Sequence, residues 1–243
     1  MLSDNPPEPG RRAGLDAFPR PGVTVDLAVL TVTDPYGDRP ELRLLVQERT
    51  APSGPALPGG FMRERWTVAR TTADVLERKV GITLPEGVRP RLLRVFDDPD
   101  RDDRTWALSV AHALCLPERA LAGARGELVP IREDGRPDLP APLLFDHGTI
   151  VADAVAGLRE RYEIRQRFVD SRPDPDGFLD AEFTLLQLRR VHEAVVGDEL
   201  HKDNFARRMQ PFLAPVTDGD GEVVLSTAQR GRPARLFRRA PER

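Results

Sequence analysis

The chain holds one cysteine in 243 residues, Cys115. A lone thiol excludes an intramolecular disulfide and any zinc site built on several cysteines. No stretch approaches the roughly 18 uninterrupted apolar residues that a membrane span needs. The N-terminus lacks both the basic-then-apolar pattern of a secretory leader and the Arg/Ser-rich pattern of a transit peptide. These absences predict a cytoplasmic protein with no membrane partner. Internal repeats and long low-complexity tracts are absent too.

What is there is an ordinary globular balance: 40% hydrophobic and 31% charged residues, on a length that suits one large domain or two modest ones. The net charge of −3 is unevenly spread. Residues 230–243, "RGRPARLFRRAPER", carry six arginines against one glutamate, leaving the other residues at −8. Such asymmetry points to a local anionic partner or to a solvated tail.

Residues 1–20 are rich in Pro, Gly and charge and read as a disordered arm. "GVTVDLAVLTV" and "ELRLLVQER" alternate and branch at Cβ like strands, and the turn-rich "DPYGDRP" between them makes a hairpin. In "ALPGGFMRERWTVARTTADVLERKVGI", Trp66, Ala69, Ala73, Leu76 and Val80 recur at spacings of three and four, which predicts a helix ended by a left-handed Gly81. Strands come next at "RLLRVF" and "TWALSVAHALCL", then an amphipathic helix over 149–162. This first unit, 21–168, is mixed α/β. "VDSRPDPDGFLDA" supplies a linker at 169–181, and a second unit fills 182–243.

The second unit opens with Thr184 and Gln187 in a T-x-x-Q capping box, flanked by Phe183 and Leu188 as a hydrophobic staple. Leu185, Leu188, Val191 and Val195 form its buried stripe, and Gly197 closes the helix. A short turn leads to "HKDNFARRMQ", where Phe205 and Met209 face inward and Lys202, Asn204, Arg207 and Arg208 face out. Arg and Lys suit phosphates and guanine edges, and Asn suits adenine. "FLAPVT" and "ARLFR" then read as two strands around a wing bearing Arg230, Arg232 and Arg235. This pattern predicts a winged helix-turn-helix. "DGDGE" lacks the distal acid of a calcium loop and is a turn.

The stretch from Gly60 resembles the Nudix box, G-x5-E-x7-R-E-U-x-E-E-x-G-U, with Leu76 at the first aliphatic place and Gly81-Ile82 closing it at the right length. The chemical positions differ: Trp66 stands at the first Glu, Asp74 at the Arg, Val75 at the next Glu. Arg78 and Lys79 replace the paired glutamates that hold a divalent cation in active members. Glu77 falls one residue early, about 100° around a helix. With "FDDPDRDDRTWALSVAHALCL", "LLFDHGTIVADAVAGLRERYE" and the C-terminal motifs, residues 22–239 resemble the Nudix-related transcriptional regulators, the NrtR-like family.

The resemblance implies an α/β fold, a Nudix-like α/β/α sandwich followed by a winged helix-turn-helix. It also implies a homodimer on a palindromic double-stranded operator, acting as a repressor, with no cofactor. The effector it implies is a nucleotide or sugar-phosphate such as ADP-ribose. Without the metal-binding glutamates the expectation is a regulator and not an enzyme. The alternative is a Nudix-type nucleotide diphosphate hydrolase that recruits acids from outside the box. Arginine forks suit phosphates, so Arg49, Arg78, Lys79, Arg101 and Arg104 are the candidate effector ligands, with Phe96 to stack on a base. His112 is expected to be structural, and Asp146, beside His147, to cap the closing helix of the first unit.

Overall fold

The computed structural model describes residues 18–163, 172–227 and 233–241. Residues 1–17 of the expected N-terminal arm (1–20), the start of the linker, and Arg230 and Arg232 lie outside them. β1 (Gly22–Thr33) is buried without a break from Val25 to Val32, as a strand covered on both faces must be. It pairs antiparallel with β2 (Glu41–Thr50) through the expected turn. β3 (Ser53–Ala56) folds back on β2, and β4 (Gly59–Phe61) pairs with β1.

The helix after β4 begins later than the stripe predicts. Thr67 caps it by accepting from the Arg70 amide at 3.1 Å, so α1 runs Val68–Val75. A five-residue π-turn, Leu76–Val80, carries it to Gly81 at φ 84°. Trp66 therefore stays outside the helix, and Ala69 and Ala73 are exposed. The buried face is Thr71, Thr72, Val75, Leu76 and Val80. The π-turn adds a residue to one turn and rotates the side chains beyond it.

β5 (Arg91–Phe96) pairs antiparallel with β6 (Ala107–Cys115), which runs parallel to β1. β7 (Glu127–Pro130) adds to β2. The sheet order is β3-β2-β1-β6-β5, with β4 and β7 off that path. One face of the sheet packs Val25, Leu27, Val29 and Leu114 against Val75, Leu76 and Val80. The other packs Ala28, Leu30 and Leu44 against Ile150, Val151, Ala154 and Leu158 of α2 (His147–Tyr162). Each fully buried Val, Leu or Ile side chain contributes about 1.5–3 kcal/mol.

That second core does not stop at the sandwich. It continues through Phe178, Leu179 and Phe183 into Leu188, Val191 and Val195 of α3 (Leu185–Val196), and Phe205 and Met209 of α4 (Lys202–Met209). Residues 172–182, which overlap the expected linker, are anchored: Asp174 is buried and accepts from the Tyr162 hydroxyl at 3.0 Å and the Phe178 and Leu179 amides at 2.9 and 2.8 Å. It also accepts from Arg239.

The capping box forms in both directions, Thr184 Oγ1 accepting from the Gln187 amide and Gln187 Oε1 from the Thr184 amide. Gly197 closes α3 at φ 81°. His192 stands outside the apolar stripe read from the sequence of α3, yet it is almost fully buried. β8 (Phe183–Thr184), β9 (Leu213–Pro215) and β10 (Leu236–Arg239) form a three-stranded sheet in the order β8-β10-β9. Bridges at Thr217–Val223 and Leu225–Arg235 extend it outward as a wing. Asp218 accepts from the amides of Asp220 and Glu222, so "DGDGE" is a turn.

Candidate functional site

A cleft of about 460 Å³ opens where α1, β4 and the N-terminus of α2 meet the sheet. Arg49, Arg78, Lys79, Arg101 and Arg104 all line it, contributed by separate segments of the chain. Phe96 does not. It is only 4% exposed and belongs to the core under α2, because its place at the end of β5 turns the ring to the sheet. The aromatic that does line the cleft is Phe145, with the guanidinium carbons of Arg104 and Arg49 at 4.9 and 5.4 Å from its ring centroid. Phe145 holds φ 58°, a conformation that costs a bulky residue about 1–3 kcal/mol and that no local motif announces.

At the floor sits Asp26, on the cleft-facing side of β1. It accepts from Ser109 Oγ at 2.6 Å, Thr24 Oγ1 at 3.0 Å and Arg101 Nη2 at 3.3 Å, with His147 Nε2 at 3.6 Å. Burial alone would raise its pKa. The neighbouring His147 imidazole, the hydrogen bond from Ser109 and the charge of Arg101 outweigh that and hold it at about 2. Arg101 is itself buried, its side chain 3% exposed. Its fork grips Asp146 at 2.8 and 2.7 Å. Asp146 therefore stands at the N-cap position of α2 without capping it, because Arg101 takes the carboxylate. His147 Nδ1 accepts from the Leu57 amide at 2.9 Å.

The box helix presents a reversed charge pattern to this cleft. Asp74 and Arg78 pair across one turn, exchanging the signs that the Nudix box carries at their positions. Lys79 donates to the Gly59 carbonyl. Its pKa is lowered by burial and by neighbouring Arg49. Glu77 is exposed and does not line the cleft. Trp66 is held between Arg70 and Arg63, 4.3 and 4.7 Å from its ring. Arg104 is matched by Asp102 at 2.7 Å. The last carbonyls of the helix are gathered by Arg125, which reaches Glu77, Arg78 and Lys79, as a cation at a helix C-terminus should. His112 is structural in kind: its Nδ1 lies 3.0 Å from the Val110 carbonyl, and burial lowers its pKa.

The second candidate surface is α4. Lys202, Asn204 and Arg207 are exposed, with Arg207 Nη2 donating to Asn204 Oδ1 at 3.0 Å. Arg208 is half-buried. Arg235, exposed at the base of the wing, pairs in register with Leu225.

A mixed sheet between two helices, continued into a helix-turn-helix with a β-wing, defines a Nudix-like sandwich joined to a winged helix. Residues 177–239 match the family described as the NrtR DNA-binding winged helix domain. Beyond that domain, the chain is similar along most of its length to the NrtR-like, Nudix-related regulators. Among curated proteins it is similar to the "ADPR responsive transcriptional repressor NtrR" of Acinetobacter baylyi, 27% identical over 233 residues that span 91% of this chain and 83% of that protein. Among solved structures it is similar to Shewanella oneidensis NrtR, at a TM-score of 0.66 and 25% identity over 90% of this chain and 94% of that one. The complex of that NrtR with a 27mer DNA superposes at a TM-score of 0.65, 24% identity, over 90% of this chain and 93% of that chain. No helix among the described residues is long and apolar enough to cross a membrane.

Proposed function

We propose that this protein is a homodimeric transcriptional repressor that binds a palindromic operator and answers to ADP-ribose. The winged helix at 182–243 engages DNA, with Lys202, Asn204, Arg207 and Arg208 in the major groove and Arg230, Arg232 and Arg235 on the wing. The Nudix-like unit at 21–168 is the sensor and the dimerisation frame, and 169–181 joins the two. Arg49, Arg78, Lys79, Arg101 and Arg104 attract the diphosphate of the effector, Arg101 doing so from within its pair of carboxylates.

The observation that carries this reading is the cationic cleft. Six basic side chains and three carboxylates line it, beside the helix whose box acids are replaced. A diphosphate hydrolase uses its metal to screen phosphate charge and to activate water. This box carries Arg78 and Lys79 at the metal-binding places, so the cleft binds and does not hydrolyse. The A. baylyi relative, described as ADPR responsive, supports ADP-ribose as the effector.

Fluorescence anisotropy with a DNA fragment from upstream of the protein's own gene tests the assignment. Tight binding that shifts on addition of ADP-ribose is expected, together with loss of binding in an Arg207→Ala/Arg208→Ala double variant that still sediments as a dimer. Unchanged operator affinity in that variant sinks the DNA-binding assignment. Release of AMP from ADP-ribose with Mg²⁺ sinks the non-catalytic one.

A further inference from the structure

Active Nudix enzymes hold a divalent cation at the box, and the residues in that place here do not suit one. Every carboxylate lining the cleft is already engaged by basic or hydroxyl partners. Asp74 is taken by Arg78, Asp102 by Arg104, and Asp26 by Ser109, Thr24, Arg101 and His147. Among the described residues no group of three or more His, Cys, Asp or Glu side chains is placed to hold a metal. A dication entering the cleft would meet six basic side chains against three lining carboxylates and Asp146 behind Arg101, an excess of positive charge, which repels it.

What stands in the metal's place is a tethered ammonium. Lys79 leaves the π-turn at the end of the box helix and donates across the cleft to the carbonyl of Gly59. Gly59 lies hard against the cleft floor: a Cβ there would stand 1.9 Å from Asp26 Oδ1, so its lack of a side chain lets β4 pass beside that carboxylate. Lys79 sits within electrostatic reach of Asp26 and Asp74 as well as Arg49 and Arg78, at the centre of the charge pattern. An ammonium screens phosphate oxygens as a metal does and donates hydrogen bonds to them. It has no coordination site for water, so it screens without activating a nucleophile.

We infer that the cleft takes a diphosphate ligand with no divalent cation, the ammonium of Lys79 supplying the charge that a metal supplies in catalytic relatives. This rests on the reading of the cleft as a diphosphate-nucleotide site. It goes beyond that reading by assigning the metal's role to one side chain. Magnesium then competes with the protein for the ligand's phosphates and does not bridge the two.

Isothermal titration calorimetry tests this with ADP-ribose and with inorganic pyrophosphate, each in EDTA and in millimolar Mg²⁺. Undiminished binding in EDTA is expected, and equal or weaker binding in Mg²⁺. Lys79→Glu should bind at least about tenfold more weakly in EDTA and regain affinity on addition of Mg²⁺, while Lys79→Met should lose affinity with no such recovery. Unchanged melting temperatures of both variants establish that the fold is intact. Wild-type binding that requires Mg²⁺, or Lys79→Glu binding as tightly as wild type, overturns the inference. If pyrophosphate binds in EDTA and ADP-ribose does not, the inference stands and the ADP-ribose reading fails. If neither ligand binds under any condition, both fail.

Discussion

Tyr162, on the last turn of α2, packs its ring against the imidazole of His192 on α3, with centroids 4.7 Å apart. His192 also meets Phe205 of α4 edge-on at 5.1 Å. One imidazole thus joins the closing helix of the sandwich to the helix proposed to read DNA. Among the described residues neither of its ring nitrogens meets a hydrogen-bond partner. Burial drives its pKa down to about 4, the backbone at Tyr162 acting in the opposite direction.

The pH dependence comes from that depression. The unfolded chain protonates His192 near about 6.5, the folded chain only near about 4. The stabilisation is complete above the unfolded value and is lost as pH falls through that window. Between about pH 7.5 and about pH 5 the fold should lose roughly 2 kcal/mol through this group. Urea denaturation of wild type and His192→Phe at both pH values checks it, since the variant should show a smaller loss.

Thr184→Ala removes one arm of the reciprocal cap that starts α3. The Gln187 amide loses its acceptor, and the fold should lose about 1 kcal/mol. Thr184→Ser keeps the oxygen and should restore most of it. Denaturant midpoints at constant slope measure both.

Arg101→Met should be more damaging, by about 3–5 kcal/mol, because it leaves Asp26 and Asp146 without their shared cation. The pH profile separates this from simple loss of packing. Asp26 contributes stability above its unfolded pKa of 3.8, and that contribution disappears as pH falls towards about 2. The deficit of the variant should therefore be full at neutral pH and shrink below about pH 4.

On α4, Lys202→Ala should weaken operator binding and reduce the salt slope by about 1 if the ammonium meets a phosphate. Asn204→Ala should weaken the cognate operator by about tenfold while altering non-specific binding little. Titrations at several salt concentrations, on cognate and scrambled duplexes, distinguish the two patterns.

Much of the C-terminal half is legible in the sequence because its signals are local. A Thr-x-x-Gln pair three residues apart and a glycine after an apolar stripe state a helix's ends whatever lies around it. The β1–β2 hairpin is legible for the same reason. The box helix reads with the right end and with Leu76 and Val80 buried as expected, but with its first turns misplaced, since the buried side there depends on where Thr67 caps. The cleft floor is the least legible part. Asp26, Arg101 and Asp146 lie on separate segments far apart in sequence, and only the parallel pairing of β1 with β6 and the start of α2 brings them together. Phe145 reaches the cleft by a backbone conformation that composition does not reveal, while Phe96, the more obvious aromatic, is consumed by the core.

Asp174 holds the end of α2, the amides of Phe178 and Leu179 in its own turn, and the final strand on a single carboxylate. The C-terminal half is thereby stapled shut at its own two ends, and the staple also fastens it to the Nudix-like half. A fragment begun at Thr184 would keep every helix and strand proposed to touch DNA, yet would leave Arg239 without its anchor and Leu188 and Val191 without their cover. Transplanting this reading head onto another sensor would have to carry the segment from Asp174 onward, along with an aromatic to stand where Tyr162 stands.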